Sequence, residues 1–320
     1  MNKKNHRLIP WNEILIKTED KERRIDNFLR STLKEISKNL FYKLIRKGYI
    51  RVNKKRILPS YRLQTYDLLS FPLLKIAKNI DKDKYYPVKV IELISQKILY
   101  DDDYILAINK PSGLAVHGGS GLKYGLIEIL RLWKKNCPYL ELVHRLDRET
   151  SGILLVAKKK SVLRILHEQF RLQKIKKYYL ALVDGIWPEH LKTIHVPLQR
   201  YGLGERRVRI NIEGKFSKTI FQVEERFCQS TLLQVIPVTG RTHQIRVHTQ
   251  YVGHPIALDN LYGNKIFNNQ LTAIGLNRLF LHSSSIMFIH PHTNNKICIT
   301  APLDNDLAKC LSFLRSVKKV

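Results

Sequence analysis

Residues 140–157 read LELVHRLDRETSGILLVA, in which two apolar segments flank a polar loop. The apolar segments, Leu140–Val143 and Ile153–Ala157, have the length and composition of short buried strands. The loop between them, Arg145–Ser151, concentrates charged and hydroxyl side chains. Because a functional group on a loop between two rigid strands is well held, this stretch predicts two strands joined by a loop that is well placed for function.

Asp147 is the candidate functional group of this loop. Arg145 and Arg148 flank it in sequence, so its carboxylate is expected to stay ionised near neutral pH. Two structural alternatives remain open from the residues alone. Asp147 could cap a helix N-terminus, or it could form a surface ion pair.

Most of the chain after residue 97 has the pattern of strands. Ile98–Tyr100 and Tyr104–Ile108 flank a predicted hairpin loop of three aspartates. Further strands are predicted at Tyr178–Val183, Phe221–Glu224 and Leu232–Pro237, and helices at Leu126–Trp133, Val162–Phe170 and Ile245–Tyr251. No regular β-α-β repeat is present, so residues 97–320 are predicted to form an α+β domain with a mostly antiparallel mixed sheet.

The N-terminal region is organised differently. Residues 1–20 are predicted to be a flexible arm, residues 21–80 a small domain, and residues 81–96 a linker that mixes charge with Pro87. Apolar residues at helical spacing predict two helices in the small domain, carried by Ile25, Phe28, Leu29 and Leu33 and then by Leu40, Phe41, Leu44 and Ile45. Ser37 is the predicted N-cap of the second helix, and Gly48 its left-handed C-terminal residue. Strands follow at Tyr49–Val52, Arg56–Ile57 and Leu68–Phe71.

The charge of the chain points to a polyanionic partner. Lys and Arg number 56 against 27 for Asp and Glu, which gives a net charge of +29. Nucleic acid is the commonest partner of such a surface, although an A/T-biased genome would also enrich lysine. An anionic membrane is the rival, but no segment approaches the ~18 apolar residues of a membrane span and the N-terminus lacks an apolar signal core. We therefore expect a cytoplasmic protein without a membrane partner.

The sequence lacks the common cofactor and metal motifs. It has neither a phosphate-binding G-x-x-x-x-G-K-[ST] loop nor a G-x-G-x-x-G turn between a strand and a helix. The four cysteines are scattered without a C-x-x-C pair, and the histidines near the C-terminus lack the spacing of metal ligands. We expect no cofactor and no metal, so that any chemistry depends on side chains.

Four stretches, in this order along the chain, resemble the RluA family of pseudouridine synthases. They are Asn109–Gly113 (NKPSG), His144–Gly152 (HRLDRETSG), Lys177–Tyr179 (KYY) and Gly240–His248 (GRTHQIRVH). The resemblance runs from about residue 20 to 315 and includes an S4 RNA-binding domain over residues 21–80. It implies isomerisation of uridine in RNA, in which the C1′–N1 bond breaks, the uracil rotates and a C1′–C5 bond forms.

The resemblance also implies roles for particular residues. Asp147 would be the catalytic carboxylate, Arg246 its ion-pair partner and Tyr179 the ring that stacks on the uracil. Enzymes that act on a base extrude the nucleotide from its stack. Arg145 is the candidate for filling the vacated space, and Arg241 is expected to contact phosphate.

The resemblance implies a structured RNA partner. Residues 115–121 and 142–159 are most similar to family members that modify 23S ribosomal RNA around the peptidyl-transferase region, which makes 23S rRNA the expected substrate of a monomeric enzyme. In the S4-like domain the expected RNA contacts are Lys43, Arg46, Lys47, Arg51, Lys54 and Lys55; a solvated charged surface is the alternative.

Three other functions are consistent with parts of the sequence. The enzyme could act on other rRNA or tRNA uridines, or the chain could be a non-catalytic S4-type RNA-binding protein. It could also be an RNA hydrolase that uses Asp147 with His243 or His248. A metal-dependent nuclease would be expected to show paired carboxylates, and Asp147 has only the adjacent Glu149.

Overall fold

Two helices and a four-stranded antiparallel sheet form the N-terminal part of the protein. A computed structural model describes residues 11–32, 38–72, 88–118, 124–201 and 207–317, and the chain divides into two units, residues 1–85 and 86–320. In unit 1 the helices are α1 (Ile25–Thr32) and α2 (Lys38–Arg46), and the strands are β1 (Trp11–Leu15), β2 (Arg51–Val52), β3 (Lys55–Arg56) and β4 (Leu68–Pro72). The strand order is β1-β4-β2-β3.

The predicted apolar faces of α1 and α2 form the core of unit 1. Ile25 and Leu29 are fully buried against Phe41 and Leu69, because residues three and four apart lie on one face of a helix. Leu40 is an exception, since 39% of it is exposed. Gly48 follows α2 with φ +72°, which confirms the predicted left-handed residue. Leu33 and Ser37 lie outside the described residues.

The predicted arm is wrong for Trp11–Leu15. These residues form β1 and pair with β4 along their whole length, from Trp11 opposite Pro72 to Leu15 opposite Leu68. Without β1, one edge of β4 would present unpaired backbone groups, and a paired edge avoids that cost. Residues 1–10 of the predicted arm lie outside the described residues.

Unit 2 is built on a ten-stranded sheet. Its strands, together with a separate two-stranded ribbon, are β5 (Ile98–Asp101), β6 (Ile105–Lys110), β7 (Glu141–Leu142), β8 (Ser151–Ala157), β9 (Lys176–Asp184), β10 (Thr193–His195), β11 (Leu198–Arg200), β12 (Val208–Ile210), β13 (Lys218–Arg226), β14 (Ser230–Pro237), β15 (Leu281–Ile289) and β16 (Lys296–Thr300). The main order is β10-β13-β14-β9-β15-β8-β6-β5, with β16 beside β15 and β7 beside β8. β15 and β8 are parallel and the other described pairs are antiparallel, which confirms the predicted α+β class.

Helices cover both faces of this sheet. They are α3 (Val88–Ser95), α4 (Leu126–Trp133), α5 (Lys160–Arg171), α6 (Gln244–Tyr251), α7 (Lys265–Ala273) and α8 (Asn305–Val317). Leu154 of β8 belongs to the same apolar cluster as Leu126 of α4, whereas Leu155 belongs to the cluster of Leu166 on α5. Burial on both faces explains why β8 is an unbroken apolar run rather than an alternating one.

Several elements of unit 2 were not predicted. The predicted linker 81–96 contains α3, whose Ile94 is fully buried in the main core; residues 81–87 lie outside the described residues. β15 begins Leu281-His282-Ser283-Ser284-Ser285, and these polar residues hide a central strand in which His282 and Ser283 are buried. Among the described residues of both units, no helix is long and apolar enough to cross a membrane.

Gly152 allows β8 to approach β15 closely, just after the loop that carries Asp147. Its φ is +104°, and an added Cβ would lie 2.2 Å from the carbonyl oxygen of Ser283. The two residues are register partners in the parallel pair. Any side chain at position 152 would therefore push the two strands apart.

We expect Gly152→Ala to destabilise the protein more than Gly253→Ala. Gly253 also has a positive φ, +84°, but an added Cβ there meets nothing within 4 Å. The control substitution should cost about 1–2 kcal/mol for the left-handed backbone, and the steric clash at position 152 should add about 1–3 kcal/mol. Urea unfolding followed by circular dichroism measures both, and equal losses would contradict the close approach of β8 and β15.

Candidate active site

The Asp147 loop, residues 143–150 between β7 and β8, is held by the Asn109–Gly113 stretch. Lys110 is fully buried, and its Nζ donates to the carbonyl oxygens of Pro111, Leu114 and Arg148 at 2.9, 2.9 and 3.0 Å. Burial lowers the pKa of Lys110 to about 7, with a further contribution from Arg278. Three carbonyl acceptors satisfy the ammonium group, which would be costly to bury without them.

Backbone and hydroxyl contacts complete this attachment. The Gly113 amide donates to the Arg148 carbonyl at 2.9 Å, and Arg148 Nε donates back to the Gly113 carbonyl at 2.9 Å. Ser112 Oγ donates to the Glu149 carbonyl at 2.6 Å. The first and second motifs of the sequence thus form one rigid structure that carries Asp147.

A cavity of about 550 Å³ brings the sequence-predicted residues together. Its lining includes Arg145, Asp147, Lys177, Tyr179, Arg241 and Arg246. These side chains come from the Asp147 loop, from β9, from the segment that leads into α6 and from α6 itself.

An arginine and a histidine lie close to one carboxylate oxygen of Asp147. Arg246 Nη1 lies 3.6 Å from Asp147 Oδ2, as predicted for the ion pair, and His243 Nε2 lies 3.8 Å from the same oxygen. The Asp147 side chain is 19% exposed, so it can still meet a ligand. It caps no helix, because β8 follows the loop.

Arg246 is aimed by a second aspartate that sequence reasoning missed. Arg246 Nε and Nη2 donate to the two carboxylate oxygens of Asp259 at 2.7 and 2.8 Å, and both residues are buried. Burial alone would lower the pKa of Arg246, but Asp259 and, less strongly, Asp147 outweigh it and raise that pKa. Asp259 thereby leaves Nη1 directed at Asp147. No local pattern distinguishes Asp259 from an ordinary turn residue.

Tyr179 lies in the middle of the sheet, between Val235 of β14 and Ser283 of β15. It is 6% exposed and lines the cavity. Burial raises the pKa of its phenol well above the ordinary value, and the Asp147 charge adds to this. Tyr179 is therefore a neutral phenol in this site.

Lys177 lines the same cavity and was not predicted as a site residue. Burial lowers its pKa to about 8. Its Nζ lies 5.5 Å from the ring centre of Phe170. The signal that could have found it is its place two residues before Tyr179, since alternate residues of a strand point to the same face.

Gln244 fixes the turn that leads into α6. Its Oε1 accepts from Thr239 Oγ1 at 2.6 Å and from the Arg241 amide at 3.0 Å, and its Nε2 donates to the Lys218 carbonyl at 2.9 Å. The side chain is buried. These bonds set the position of residues 241–246 against the sheet.

Two further arginines lie at the rim of the cavity. Arg145 is exposed, and Arg241 is exposed with its Nε bonded to the Phe216 carbonyl at 2.9 Å. A second cavity of about 1290 Å³ shares Arg145, Asp147 and Arg246 with the first. Its lining adds three more arginines, Arg148, Arg200 and Arg278.

Unit 1 carries the predicted basic face. Its exposed members are Lys43, Arg46, Lys47, Lys54, Lys55 and Arg56, while Arg51 is half-buried. Arg51 Nε donates to the Gly48 carbonyl at 2.9 Å, and the Arg56 side chain also lies over Gly48. The end of α2 and the β2–β3 turn therefore form one continuous basic surface.

The protein matches two family models. One, described as RNA pseudouridylate synthase, matches residues 104–251, and an S4 domain model matches residues 23–69. A protein named ribosomal large subunit pseudouridine synthase C in Salmonella typhimurium is 52% identical over 309 residues, which cover 95% of this chain and 97% of that protein. The chain belongs to the RNA pseudouridylate synthase family. It is therefore an isomerase that forms pseudouridine in RNA.

Relatives of the same name occur in other bacteria. The one from Escherichia coli (strain K12) is 51% identical and covers 95% of this chain and 97% of that protein. The one from Haemophilus influenzae is 49% identical over 322 residues, which cover 99% of this chain and 100% of that protein. The predicted resemblance is confirmed, and it extends over both units.

Solved structures show the same fold. Human RNA pseudouridylate synthase domain containing 4 superposes with a TM-score of 0.59 at 24% identity, covering 71% of this chain and 96% of that one. Human RNA pseudouridylate synthase domain containing 1 gives a TM-score of 0.55 at 26% identity, covering 70% and 94%.

His144 supplies a pH-dependent contribution to stability. Its Nε2 accepts the Leu155 amide at 3.1 Å, and burial, aided by Lys177, lowers its pKa to about 3. An unfolded histidine has a pKa near 6.5, so between these values the unfolded state binds more protons. The contribution of His144 to the free energy of unfolding is therefore fully present above about pH 6.5 and is lost as the pH falls toward 3.

We expect His144→Gln to flatten the pH dependence of the free energy of unfolding between about pH 6.5 and 4.5. Glutamine keeps a hydrogen-bond acceptor but does not titrate. The wild type should lose up to about 1.4 kcal/mol more per pH unit than the variant. Urea unfolding across this range measures the slopes, with the exposed His195→Gln as control. Parallel slopes for the wild type and His144→Gln would contradict the lowered pKa.

Proposed function

We propose that this enzyme converts specific uridines of 23S ribosomal RNA, around the peptidyl-transferase region, to pseudouridine. Relatives that are 49–52% identical over nearly the whole chain are named for the large ribosomal subunit. The observation that carries the proposal is the meeting of Asp147, Arg246 and Tyr179 in one cavity. A non-catalytic RNA-binding protein would have no need of this arrangement.

Asp147 is the proposed catalytic carboxylate, which acts on the target nucleotide as nucleophile or base. Arg246, 3.6 Å away, keeps it oriented. At such a distance near a protein surface, the Coulomb attraction is about 4 kcal/mol before the cost of desolvation. That is enough to select one side-chain rotamer. The reaction needs no net oxidation or phosphate energy, because the product is an isomer of the substrate: the C1′–N1 bond breaks, the C1′–C5 bond forms, C5 loses a proton and N1 gains one.

Tyr179 is proposed to stack on the uracil, with its hydroxyl near the reacting carbons. Its place on a central strand gives the ring a fixed orientation. Because the phenol is neutral in the site, it can donate a hydrogen bond to the base as the base rotates. To accept the proton from C5, the phenol would first have to give up its own proton.

Arg145 is proposed to occupy the space that the extruded uridine leaves in the RNA. Its side chain is exposed and lies at the rim shared by both cavities. A planar guanidinium can stack on neighbouring bases and donate in its plane. Arg241 and the arginines of the second cavity would bind the phosphates on either side of the target, since guanidinium groups suit phosphate geometry.

We expect Asp147→Asn to abolish pseudouridine formation while RNA affinity stays within a few fold. The amide has nearly the same shape but can act neither as nucleophile nor as base. Carbodiimide mapping of 23S rRNA from a deletion strain, complemented with each gene, gives the sites. Filter binding measures affinity. The exposed Asp103→Asn is the control.

Two results would contradict this proposal. Restoration of the pseudouridines by Asp147→Asn would exclude Asp147 as the catalytic carboxylate. An identical map of 23S rRNA with and without the gene would exclude this RNA as the substrate.

The basic face of unit 1 is proposed to bind the phosphate backbone of the same RNA. We expect deletion of residues 1–85 to weaken rRNA binding and to reduce its salt dependence. Each phosphate contact that is lost should lower the slope of log affinity against log salt by about 0.7–0.9. Binding measured at several salt concentrations gives the slope.

A matched pair of variants separates the effect of this basic face on RNA binding from the effect of net charge. Lys43, Lys47 and Lys54 of unit 1 are changed to Gln in one variant, and the exposed Lys192, Lys265 and Lys309 of unit 2 in the other. Both lose three charges. Equal weakening by the two variants would show that general charge, and not the basic face, binds the RNA.

A further inference from the structure

His243 lies between the proposed catalytic carboxylate and a buried tyrosine. Its Nε2 is 3.8 Å from Asp147 Oδ2, and its Nδ1 is 2.9 Å from the hydroxyl oxygen of Tyr262. The His243 backbone has φ +52°, a conformation that is uncommon for residues other than glycine. Such conformations occur where the surrounding structure requires them, often at functional sites.

The hydrogen bonds of Tyr262 decide which nitrogen of His243 carries the proton. The Val208 amide lies 2.8 Å from the Tyr262 hydroxyl oxygen and can only donate to it. The single hydroxyl hydrogen of Tyr262 then needs an acceptor, and His243 Nδ1 is the acceptor within reach among the described residues. Nδ1 therefore carries a lone pair.

The ring of His243 is neutral at physiological pH. Burial lowers its pKa; Asp147 opposes this, and Arg246 lowers the pKa further, so that the net direction is downward. A neutral imidazole with a lone pair on Nδ1 carries its hydrogen on Nε2. That hydrogen is on the ring nitrogen that lies 3.8 Å from Asp147 Oδ2.

We propose that Tyr262 and the Val208 amide hold His243 in the Nε2–H tautomer, and that His243 and Arg246 together fix Oδ2 of Asp147 so that Oδ1 meets the target nucleotide. His243 is then a positioning residue, and Tyr262 acts through it. This inference rests on the proposed function, because it takes Asp147 as the catalytic carboxylate.

The opposite tautomer would have the opposite effect. With the hydrogen on Nδ1, the Nε2 lone pair would face the Asp147 carboxylate, and two acceptors would repel each other. Tyr262 is well placed to prevent this, since its amide donates to Asp259 Oδ1 at 3.0 Å and the Arg246 guanidinium lies 5.2 Å from its ring centre. The groups that aim Arg246 thus also place Tyr262.

The test compares two amide replacements of His243. Gln places an N–H donor near the position of Nε2, whereas Asn places its amide near the position of Nδ1 and leaves Asp147 without this donor. Tritium release from 5-tritiated 23S rRNA of a deletion strain gives kcat and KM. We expect His243→Asn to lower kcat by about tenfold or more and His243→Gln by no more than about threefold, with KM within about threefold for both.

Tyr262→Phe tests the tautomer separately. It removes the hydroxyl and should lower kcat by about threefold to tenfold in the wild-type background. In the His243→Asn background it should have no further effect, because Tyr262 acts through His243. His195→Gln is the control on an exposed histidine, and urea unfolding confirms that each variant is folded.

Three results would overturn the inference. These are equal kcat values for the Asn and Gln variants, losses confined to KM, and additive losses for Tyr262→Phe with His243→Asn. Full activity of His243→Asn beside an inactive Asp147→Asn would overturn this inference and leave the proposed function intact. No tritium release by the wild-type enzyme would overturn both.

Discussion

The buried ion pair between Arg246 and Asp259 is the interaction on which the site depends. Both charges are removed from water, and the bidentate bonds at 2.7 and 2.8 Å offset part of that cost. The Leu261 and Tyr262 amides also donate to Asp259 at 2.9 and 3.0 Å. Such pairs add little net stability, but removing one partner leaves an uncompensated charge. What this pair provides is a fixed direction for the remaining nitrogen of Arg246, toward Asp147.

The sheet of unit 2 is the second structure that fixes the positions of the site residues. Tyr179 occupies a central strand that is bonded on both sides, and Gly152 lets the end of β8 lie against β15. Lys110 then holds the Asp147 loop in place through hydrogen bonds to three carbonyl oxygens. The central strands of a buried sheet, an ammonium group and an ion pair therefore locate the three proposed catalytic side chains relative to one another.

Resemblance to a known family, carried by short stretches of sequence, indicated the proposed site residues. Asp147, Tyr179 and Arg246 each stand in a recognisable stretch, and α4 has the bounds expected from its apolar spacing. Asp259 could not be predicted, because its partner is determined by the tertiary fold. Nor could β15, where the buried His282 and Ser283 replace the apolar residues that mark a strand. Asp259 and β15 were not predicted because their roles depend on contacts with residues distant in sequence.

The contact from Val208 to Tyr262 has a consequence for how such sites can be recognised. The donor is a main-chain amide at the start of β12, so every amino acid except proline would supply it equally well. The Val208 side chain is itself buried in an apolar cluster with Leu198, Val247 and Tyr262, so a survey of residue types at position 208 would record that packing and not the amide. A determinant of the proton arrangement beside the proposed catalytic carboxylate can thus lie in the main chain, where a comparison of side chains does not detect it, and Val208→Pro is the substitution that would remove it.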